Sequence, residues 1–274
     1  MATVDGKTVL LTGASGAIGA DLARVLGARG ARLCISARRT ELLEALADEV
    51  AGDGGARPLV LPADLSRRGE ASGLAARARD AVGPIDVLIN NAGSSMQGLT
   101  WIVGDDDGAR GVFEMNVWSP LALVAAVAPE MVRRGGGTIV NVGSMARVSP
   151  FPHLGTYAAS RSAIATATQV LDMELRPRDV RVVDFALGPV DTPASQENRV
   201  LAGADRWLDG RPGIGDKGAA AAAIVKAVES DADGAAFYPR TMRWVHRFPG
   251  LGRRYSRRMA RHADVLDETV RVSG

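Results

Sequence analysis

The stretch TGASGAIG, residues 12–19, decides the fold because it separates two segments of different hydrophobic period. The apolar run that ends in it, TVLLTG, is typical of a buried strand, and the following DLARVLGARG has the period of a helix. A glycine-rich turn at such a junction exposes unpaired backbone N–H groups beside the positive end of the helix dipole. The sequence therefore predicts a phosphate-binding turn, although a tight strand–helix connection would use similar residues.

The alternation of short apolar runs with helical segments continues along the chain. This is the pattern of stacked βαβ units, and it predicts one doubly wound α/β domain of Rossmann type, with a parallel sheet of about seven strands and helices on both faces. We expect the domain to span 1–240, with a substrate loop inserted at 193–215, and a basic tail to follow at 241–274. Strands are predicted at 8–13, 31–36, 57–64, 85–93, 137–144, 180–188 and 235–239.

The composition excludes several classes of protein. Among 274 residues, 33 basic side chains nearly balance 31 acidic ones, so charge does not indicate a nucleic-acid partner. The single cysteine, Cys34, excludes a disulfide framework and favours a cytoplasmic location. The three histidines are dispersed, which predicts no metal site.

The chain offers no clear membrane span or signal peptide. The N-terminal run is short and carries Asp5 and Lys7. The longest apolar segment, 120–132, is interrupted by Pro129 and Glu130, which favours a buried helix.

The end of the second predicted strand, SARRT at 36–40, indicates which dinucleotide would bind. A carboxylate at this place would hydrogen-bond the ribose hydroxyls of NAD, whereas Arg38 and Arg39 would attract the 2′-phosphate of NADP. The sequence therefore favours NADP, with the alternative that these arginines are solvated surface charges.

A series of further motifs follows the glycine-rich turn: Asp64 in PADLS, NNAG at 90–93, Asn116, Ser144, Tyr157 and GPVDT at 188–192. In this order and spacing, with the serine thirteen residues before the tyrosine, the chain resembles the short-chain dehydrogenase/reductase family over residues 5 to about 240. The resemblance implies a nicotinamide cofactor bound along the carboxyl edge of the sheet. The cofactor-binding residues it implies are Gly13, Ser15, Ile18, Gly19, Arg38, Arg39, Asp64, Leu65, Asn91, Ala92, Gly93, Tyr157, Arg161, Gly188, Val190 and Thr192.

The resemblance also implies catalytic roles for Asn116, Ser144, Tyr157 and Arg161. Tyr157 would be the general acid in ketone reduction and the base in alcohol oxidation, while Ser144 would hydrogen-bond the substrate oxygen. Asn116 would stabilise a helix bend and hold a water of the proton relay. In YAASR, residues 157–161, the phenol and the cation lie on one helix face, where a fixed positive charge favours the phenolate.

Three residues depart from the family pattern. Arg161 stands where the family has lysine; it keeps the charge and can clamp ribose hydroxyls, but a planar guanidinium fits a proton relay less well than an ammonium. Ala17 replaces the middle glycine of the turn, which is tolerable if the residue is helical. Leu187 replaces a proline before Gly188.

The leading hypothesis is an NADP-dependent oxidoreductase that interconverts a ketone and a secondary alcohol on an apolar small molecule. Two alternatives stay open: a cofactor-binding protein without turnover, and an enzyme that uses Tyr157 for dehydration or epimerisation.

Two kinds of association are also predicted. Helices at 120–133 and 159–176 are apolar on more than one face, which indicates a homo-oligomer, either a dimer or a tetramer. The segment 240–261 has eight arginines, no acid and five apolar residues at helical intervals. It could contact an anionic membrane surface or a partner subunit, or fold over the substrate pocket of its own chain.

Overall fold

A seven-stranded parallel sheet forms the centre of the molecule. The computed structural model describes residues 3–193, 195–196, 214–230, 234–260 and 271–273. The strands lie in the order β3-β2-β1-β4-β6-β7-β8, and every neighbouring pair is parallel. This confirms the predicted doubly wound sheet. The strands are β1 (Thr8–Thr12), β2 (Arg32–Ser36), β3 (Leu59–Val60), β4 (Val87–Asn90), β6 (Gly137–Ser144), β7 (Val180–Leu187) and β8 (Ala235–Tyr238).

Helices cover both faces of the sheet, because the strands are apolar on both sides. On one face, Leu22 and Leu26 of the first helix and Ile224 of a late helix pack against β1 and β7. On the other face, Leu74, Leu123 and neighbouring side chains pack against Leu10 and Ile139. The helices are α1 (Ala17–Ala28), α2 (Thr40–Gly52), α3 (Glu70–Val82), α4 (Thr100–Val103), α5 (Asp107–Phe113), α6 (Ser119–Arg133), α7 (Gly155–Leu175), α8 (Lys217–Glu229), α9 (Met242–Arg247) and α10 (Pro249–Ala260).

The edge strand β3 is much shorter than the predicted 57–64. Only Leu59 and Val60 pair with β2. Pro58 and Pro62 flank the pair, and because proline has no backbone N–H, it limits how far a ladder extends.

Helices α5 and α6 form one continuous helical run, Asp107–Arg133, joined by a π-helical turn at Glu114–Trp118. By length and composition this run could cross a membrane, but 56% of its apolar window is buried inside the fold. Leu123, Val127 and Met131 belong to the core. Their burial agrees with the interpretation of 120–132 as a buried helix.

The sequence did not predict a small second sheet. Strand β5 (Ser95–Gln97) pairs antiparallel with β9 (Arg271–Ser273), so residues from the expected tail return to the strand edge beside the NNAG segment. Most of the predicted substrate loop, 193–215, lies outside the described residues.

Candidate active site

The glycine-rich turn leaves room for an anion at the start of α1. Gly13 has φ +69°, and a Cβ on it would lie 2.7 Å from Ala92 Cα; a Cβ on Gly19 would collide with the Gly13 carbonyl. Gly16 caps the helix in an extended conformation without a side-chain cap, and no acidic residue occupies the first turn. The helix N-terminus therefore keeps its N–H groups and dipole available for a phosphate. Ala17, the first helical residue, takes the place of the expected glycine without a positive φ.

One cavity of about 880 Å³ runs from this turn to the ends of β6 and β7. It joins nearly all the residues that the sequence assigned to cofactor binding and catalysis. Of those residues, only Asp64 and Asn116 do not line it. The predicted residues that line it are Gly13, Ser15, Ile18, Gly19, Arg38, Arg39, Leu65, Asn91, Ala92, Gly93, Ser144, Tyr157, Arg161, Gly188, Val190 and Thr192.

Arg38 and Arg39 lie at one end of the cavity, directly after β2. The guanidinium of Arg39 donates to the Ser15 carbonyl over 3.3 Å, so it bends back toward the glycine-rich turn. Asp64 stands nearby and accepts hydrogen bonds from the backbone and hydroxyl of Ser66. Burial would raise the pKa of Asp64, but these bonds and the charges of Arg38 and Arg67 hold it below the ordinary carboxyl value. This end of the cavity therefore has positive charge in its lining and an ionised carboxylate close beside it.

Tyr157 and Arg161 lie on the first turns of α7, one helical turn apart, as the spacing predicts. The Arg161 Cζ atom is 5.2 Å from the centroid of the Tyr157 ring. This is within the range of a cation–π contact. The cation and the phenol thus face the cavity together.

Arg161 is buried, with 8% of its surface exposed. Its Nη1 donates to the Val142 carbonyl over 3.2 Å, while Nε has no hydrogen-bond partner in the described part of the chain. A buried unpaired donor is costly, so the site suits a ligand that brings an acceptor, such as a ribose hydroxyl. Gly93 makes room for this side chain, because a Cβ there would collide with Nη2.

Ser144 is the last residue of β6, and its hydroxyl accepts from the Ala146 N–H over 3.1 Å. It lines the cavity along with Tyr157. A hydroxyl that already accepts a backbone hydrogen bond keeps its proton free to donate to another oxygen. Ser144 is thus available to a substrate carbonyl.

Asn116 lies in the π-helical turn and is fully engaged inside the protein. Its Nδ2 donates to the Ser94 carbonyl and to the Ser160 hydroxyl, both over 2.9 Å, and its Oδ1 accepts from the Ser94 N–H. The residue links the segment after β4 to α7, the helix of Tyr157. Its observed contacts are those of a positioning residue at a distorted helix.

Sequence reasoning missed Thr12, the residue before the glycines. Its hydroxyl accepts from the backbone N–H groups of Asn91 and Ala92, each over 3.1 Å. It therefore fixes the NNAG turn against the first strand, and its place at the end of β1 was the available signal.

In the described residues no group of His, Cys, Asp or Glu could hold a metal ion.

A buried ionic cluster, also not predicted, lies just beyond Ser144. Arg147 forms an ion pair with Asp184 of β7, and both side chains are almost fully buried. Burial raises the pKa of the Asp184 carboxyl, although the charge of Arg147 opposes this rise. The pKa of His246 is lowered by burial and by the charge of Arg147. The cluster connects the loop after β6 and the main sheet to helix α9.

Comparison with known proteins agrees with this geometry. A sequence model of the short chain dehydrogenases matches residues 7–200. Dehydrogenase/reductase SDR family member 7B of Bos taurus is 34% identical over 211 residues, and the match covers 75% of this chain but only 64% of that protein. Ketoacyl reductase HetN of a Nostoc species is 32% identical over 231 residues, 84% of this chain and 78% of HetN. A short-chain dehydrogenase from Sphingobium yanoikuyae, solved in complex with NADPH, has a TM-score of 0.74 at 29% identity and covers 89% of this chain and 93% of its own.

Proposed function

Because the chain belongs to the short-chain dehydrogenase family, we propose that it is an NADP(H)-dependent oxidoreductase that interconverts a ketone and a secondary alcohol on an apolar small molecule. The observation that carries the proposal is the cavity of about 880 Å³, which joins an open helix N-terminus to Ser144, Tyr157 and Arg161. The family membership supports a reductase, and the similarity to a ketoacyl reductase supports a carbonyl substrate.

The residues present fit a dinucleotide phosphate. The N–H groups at the start of α1 would hold the pyrophosphate, and Arg38 and Arg39 would pair with a 2′-phosphate. The similar Sphingobium enzyme was solved with NADPH, which supports the same choice here. When bound, the nicotinamide supplies or accepts the hydride. Gly188, Val190 and Thr192, at the far end of the cavity, would hold its carboxamide.

Tyr157 would transfer the proton. In reduction the phenol donates its proton to the substrate oxygen as negative charge develops there, and in oxidation the phenolate accepts it. Ser144 would donate a second hydrogen bond to the same oxygen and hold it in place. The buried guanidinium of Arg161 lies 5.2 Å from the centroid of the Tyr157 ring and so places a positive charge beside the phenol.

Arg161 would also bind the ribose. Its Nε lacks a partner in the described residues, and Nη1 is already fixed on the Val142 carbonyl, so the side chain is oriented before a ligand arrives. A preoriented donor loses little entropy when its acceptor binds. The same observations favour the alternative of a binding protein without turnover, because they describe affinity and not proton transfer.

A panel of ketones with graded chain length tests the proposal. NADPH oxidation should depend on the ketone, should yield the corresponding alcohol, and should disappear in Tyr157→Phe. NADPH binding should be measured in parallel by calorimetry. Binding without oxidation of NADPH would favour the non-catalytic alternative, and dehydrated or epimerised product without net NADPH oxidation would favour the non-redox one.

We also propose that the protein is a homo-oligomer that pairs through α6 and α7. Val170 and Met173 of α7 are 46% and 73% exposed, which leaves an apolar stripe on a helix that already contributes to the core. Light scattering should give more than one chain per particle, and Met173→Glu should lower the mass. Leu42→Glu, at an exposed apolar residue on α2, is the matched control. A monomeric wild type would refute the proposal.

A further inference from the structure

Helices α9 and α10 and the residue that joins them, Phe248, expose four large apolar side chains: Trp244, Phe248, Leu251 and Tyr255. They are 58%, 51%, 65% and 42% exposed. The Trp244 and Phe248 rings are stacked, with centroids 6.3 Å apart, so this part of the patch is continuous. We call the four residues the aromatic patch. Contiguous exposed apolar surface of this kind marks an interaction site.

The burial pattern of α10 is the reverse of that of an ordinary surface helix. Its buried positions are Gly252 and Ser256, four residues apart, while Leu251 and Tyr255 are exposed. The side of α10 that carries Gly252 and Ser256 packs closely against the loop after β6. Only a small residue fits there, because a Cβ on Gly252 would collide with Ser149. A surface helix normally turns its apolar stripe inward. The stripe on α10 is therefore not covered by the described part of the chain.

The segment that carries the aromatic patch is rich in positive charge. Residues 234–260 contain no acidic side chain, and seven arginines in this segment are exposed. None of the seven forms an ion pair with an acidic residue in the described part of the chain. The guanidinium of Arg243 lies over the Trp244 ring at 5.4 Å from its centroid. The seven are Arg240, Arg243, Arg247, Arg253, Arg254, Arg257 and Arg258.

We propose that the surface of α9 and α10, which carries the aromatic patch and the exposed arginines, binds the surface of an anionic lipid bilayer. Guanidinium groups pair with lipid phosphates, and indole and phenol rings are stable at the boundary between headgroups and acyl chains. The lack of acidic residues gives the charge complementarity that such a surface requires. A second copy of the chain fits less well, because a twofold interface would bring the same arginines together.

The face lies beside the substrate end of the cavity. The Tyr255 and Phe151 rings meet edge to face at 6.4 Å, and Phe151 belongs to the loop between Ser144 and Tyr157. Met242 of α9 lies close enough to Gly188 that a Cβ there would meet it at 2.8 Å. A bilayer on this face would therefore bring apolar molecules near Ser144. This last step rests on the proposed oxidoreductase function, whereas the lipid binding does not.

Vesicle sedimentation of the full chain tests the binding directly. The protein should sediment with vesicles of equimolar phosphatidylcholine and phosphatidylserine, should remain free with pure phosphatidylcholine, and should be released by high salt. Replacing Arg253, Arg254, Arg257 and Arg258 with Gln should weaken binding by about fivefold for each arginine removed. Trp244→Ser with Leu251→Ser should weaken it as well, because it removes apolar contact area.

Matched variants separate the face from overall charge. A control with the same loss of charge on other surfaces should bind like the wild type, and calorimetric binding of NADPH should be equal in all variants. Two results in sedimentation would overturn the proposal: the wild type does not sediment with the vesicles, or the control loses as much sedimentation as the arginine variant. The proposal would also be overturned if the wild type were a dimer that Leu251→Ser separates into monomers, because the face would then bind a second copy. The control replaces Arg68, Arg79, Arg133 and Arg178 with Gln, all of which are exposed.

Discussion

The guanidinium carbon of Arg161 lies 5.2 Å from the centroid of the Tyr157 ring, one turn further along α7. The Arg161 side chain extends under the NNAG turn, where Gly93 leaves space for Nη2. Its charge lies beside the phenol, and its Nε, which has no hydrogen-bond partner among the described residues, can bind a ribose hydroxyl. An arginine at this position is thus compatible with both a cofactor site and a proton-transfer site.

Removing the charge at position 161 should affect binding and catalysis together. Arg161→Met should weaken NADPH binding by about 2–3 kcal/mol, because it deletes hydrogen bonds from a charged donor, and should lower turnover because the cofactor is held less firmly. Arg161→Lys should retain turnover or increase it, since an ammonium suits the relay. Calorimetry measures the binding effect, and steady-state kinetics measures turnover. A methionine variant that binds NADPH as tightly as the wild type would contradict the assigned role.

Gly93 should be intolerant of any side chain while Arg161 is present. Gly93→Ala places a Cβ against Nη2, so NADPH affinity should fall by about 1–3 kcal/mol through displacement of the guanidinium. In the Arg161→Lys background, Gly93→Ala should reduce NADPH affinity by a smaller amount, because lysine has no branched head. Gly111→Ala, where the added methyl meets open space, is the control. Strictly additive costs would mean that the two residues do not interact.

Cofactor choice should depend on the arginines after β2. Arg38→Gln with Arg39→Gln should lower NADPH affinity by about 3 kcal/mol and leave NADH affinity nearly unchanged, because only NADPH carries the 2′-phosphate. Calorimetric titration of both cofactors measures the change, with Arg68→Gln as the control. Equal affinity of the wild type for NADPH and NADH would show that this site does not select the phosphate.

Asp86 should make the fold sensitive to acid. It accepts hydrogen bonds from the Thr8 N–H over 2.9 Å and from Arg134 over 2.6 Å. Burial would raise the pKa of Asp86, but these partners hold it below the ordinary carboxyl value. The depressed pKa means that the stabilisation is complete above the unfolded-state value and is lost as pH falls through the folded-state value.

At neutral pH, Asp86→Asn should therefore lower the free energy of unfolding in urea by about 1–2 kcal/mol. In acid the free energies of unfolding of the variant and the wild type should become equal. Asp80→Asn, at an exposed carboxylate, should show neither effect. A loss of stability that is the same at every pH would assign the effect of Asp86→Asn to packing alone.

Local sequence patterns were sufficient to predict the main sheet and most of the residues that line the cavity. The runs at β1, β6 and β7 are apolar and bounded by glycine or polar turns, and residues at the ends of parallel strands meet at one edge. TGASGAIG and YAASR each lie within a single strand–helix junction or helix turn, so their spacing alone predicted their geometry.

Contacts between distant residues could not be predicted from local patterns. The family resemblance implied a helix bend at Asn116, but not that hydrogen bonds to Ser94 and Ser160, 22 and 44 residues away, would stabilise a π-helical turn at Glu114–Trp118. Likewise, the Arg147–Asp184 pair joins positions 37 residues apart. Nothing in the local sequence around these residues marks the partner, because each contact exists only after the sheet has formed.

In the proposed reaction, Tyr157 gives a proton to a carbonyl oxygen while NADPH gives its hydride to the carbon of the same carbonyl group. The experiment uses NADPH that carries deuterium at both positions of the reactive nicotinamide carbon, so that either face delivers the label, and follows deuterium into the alcohol product by mass spectrometry. We predict deuterium at the carbinol carbon with the wild type, and none with Tyr157→Phe, which should still bind NADPH. An unlabelled product, or equal labelling by the wild type and Tyr157→Phe, would contradict the account.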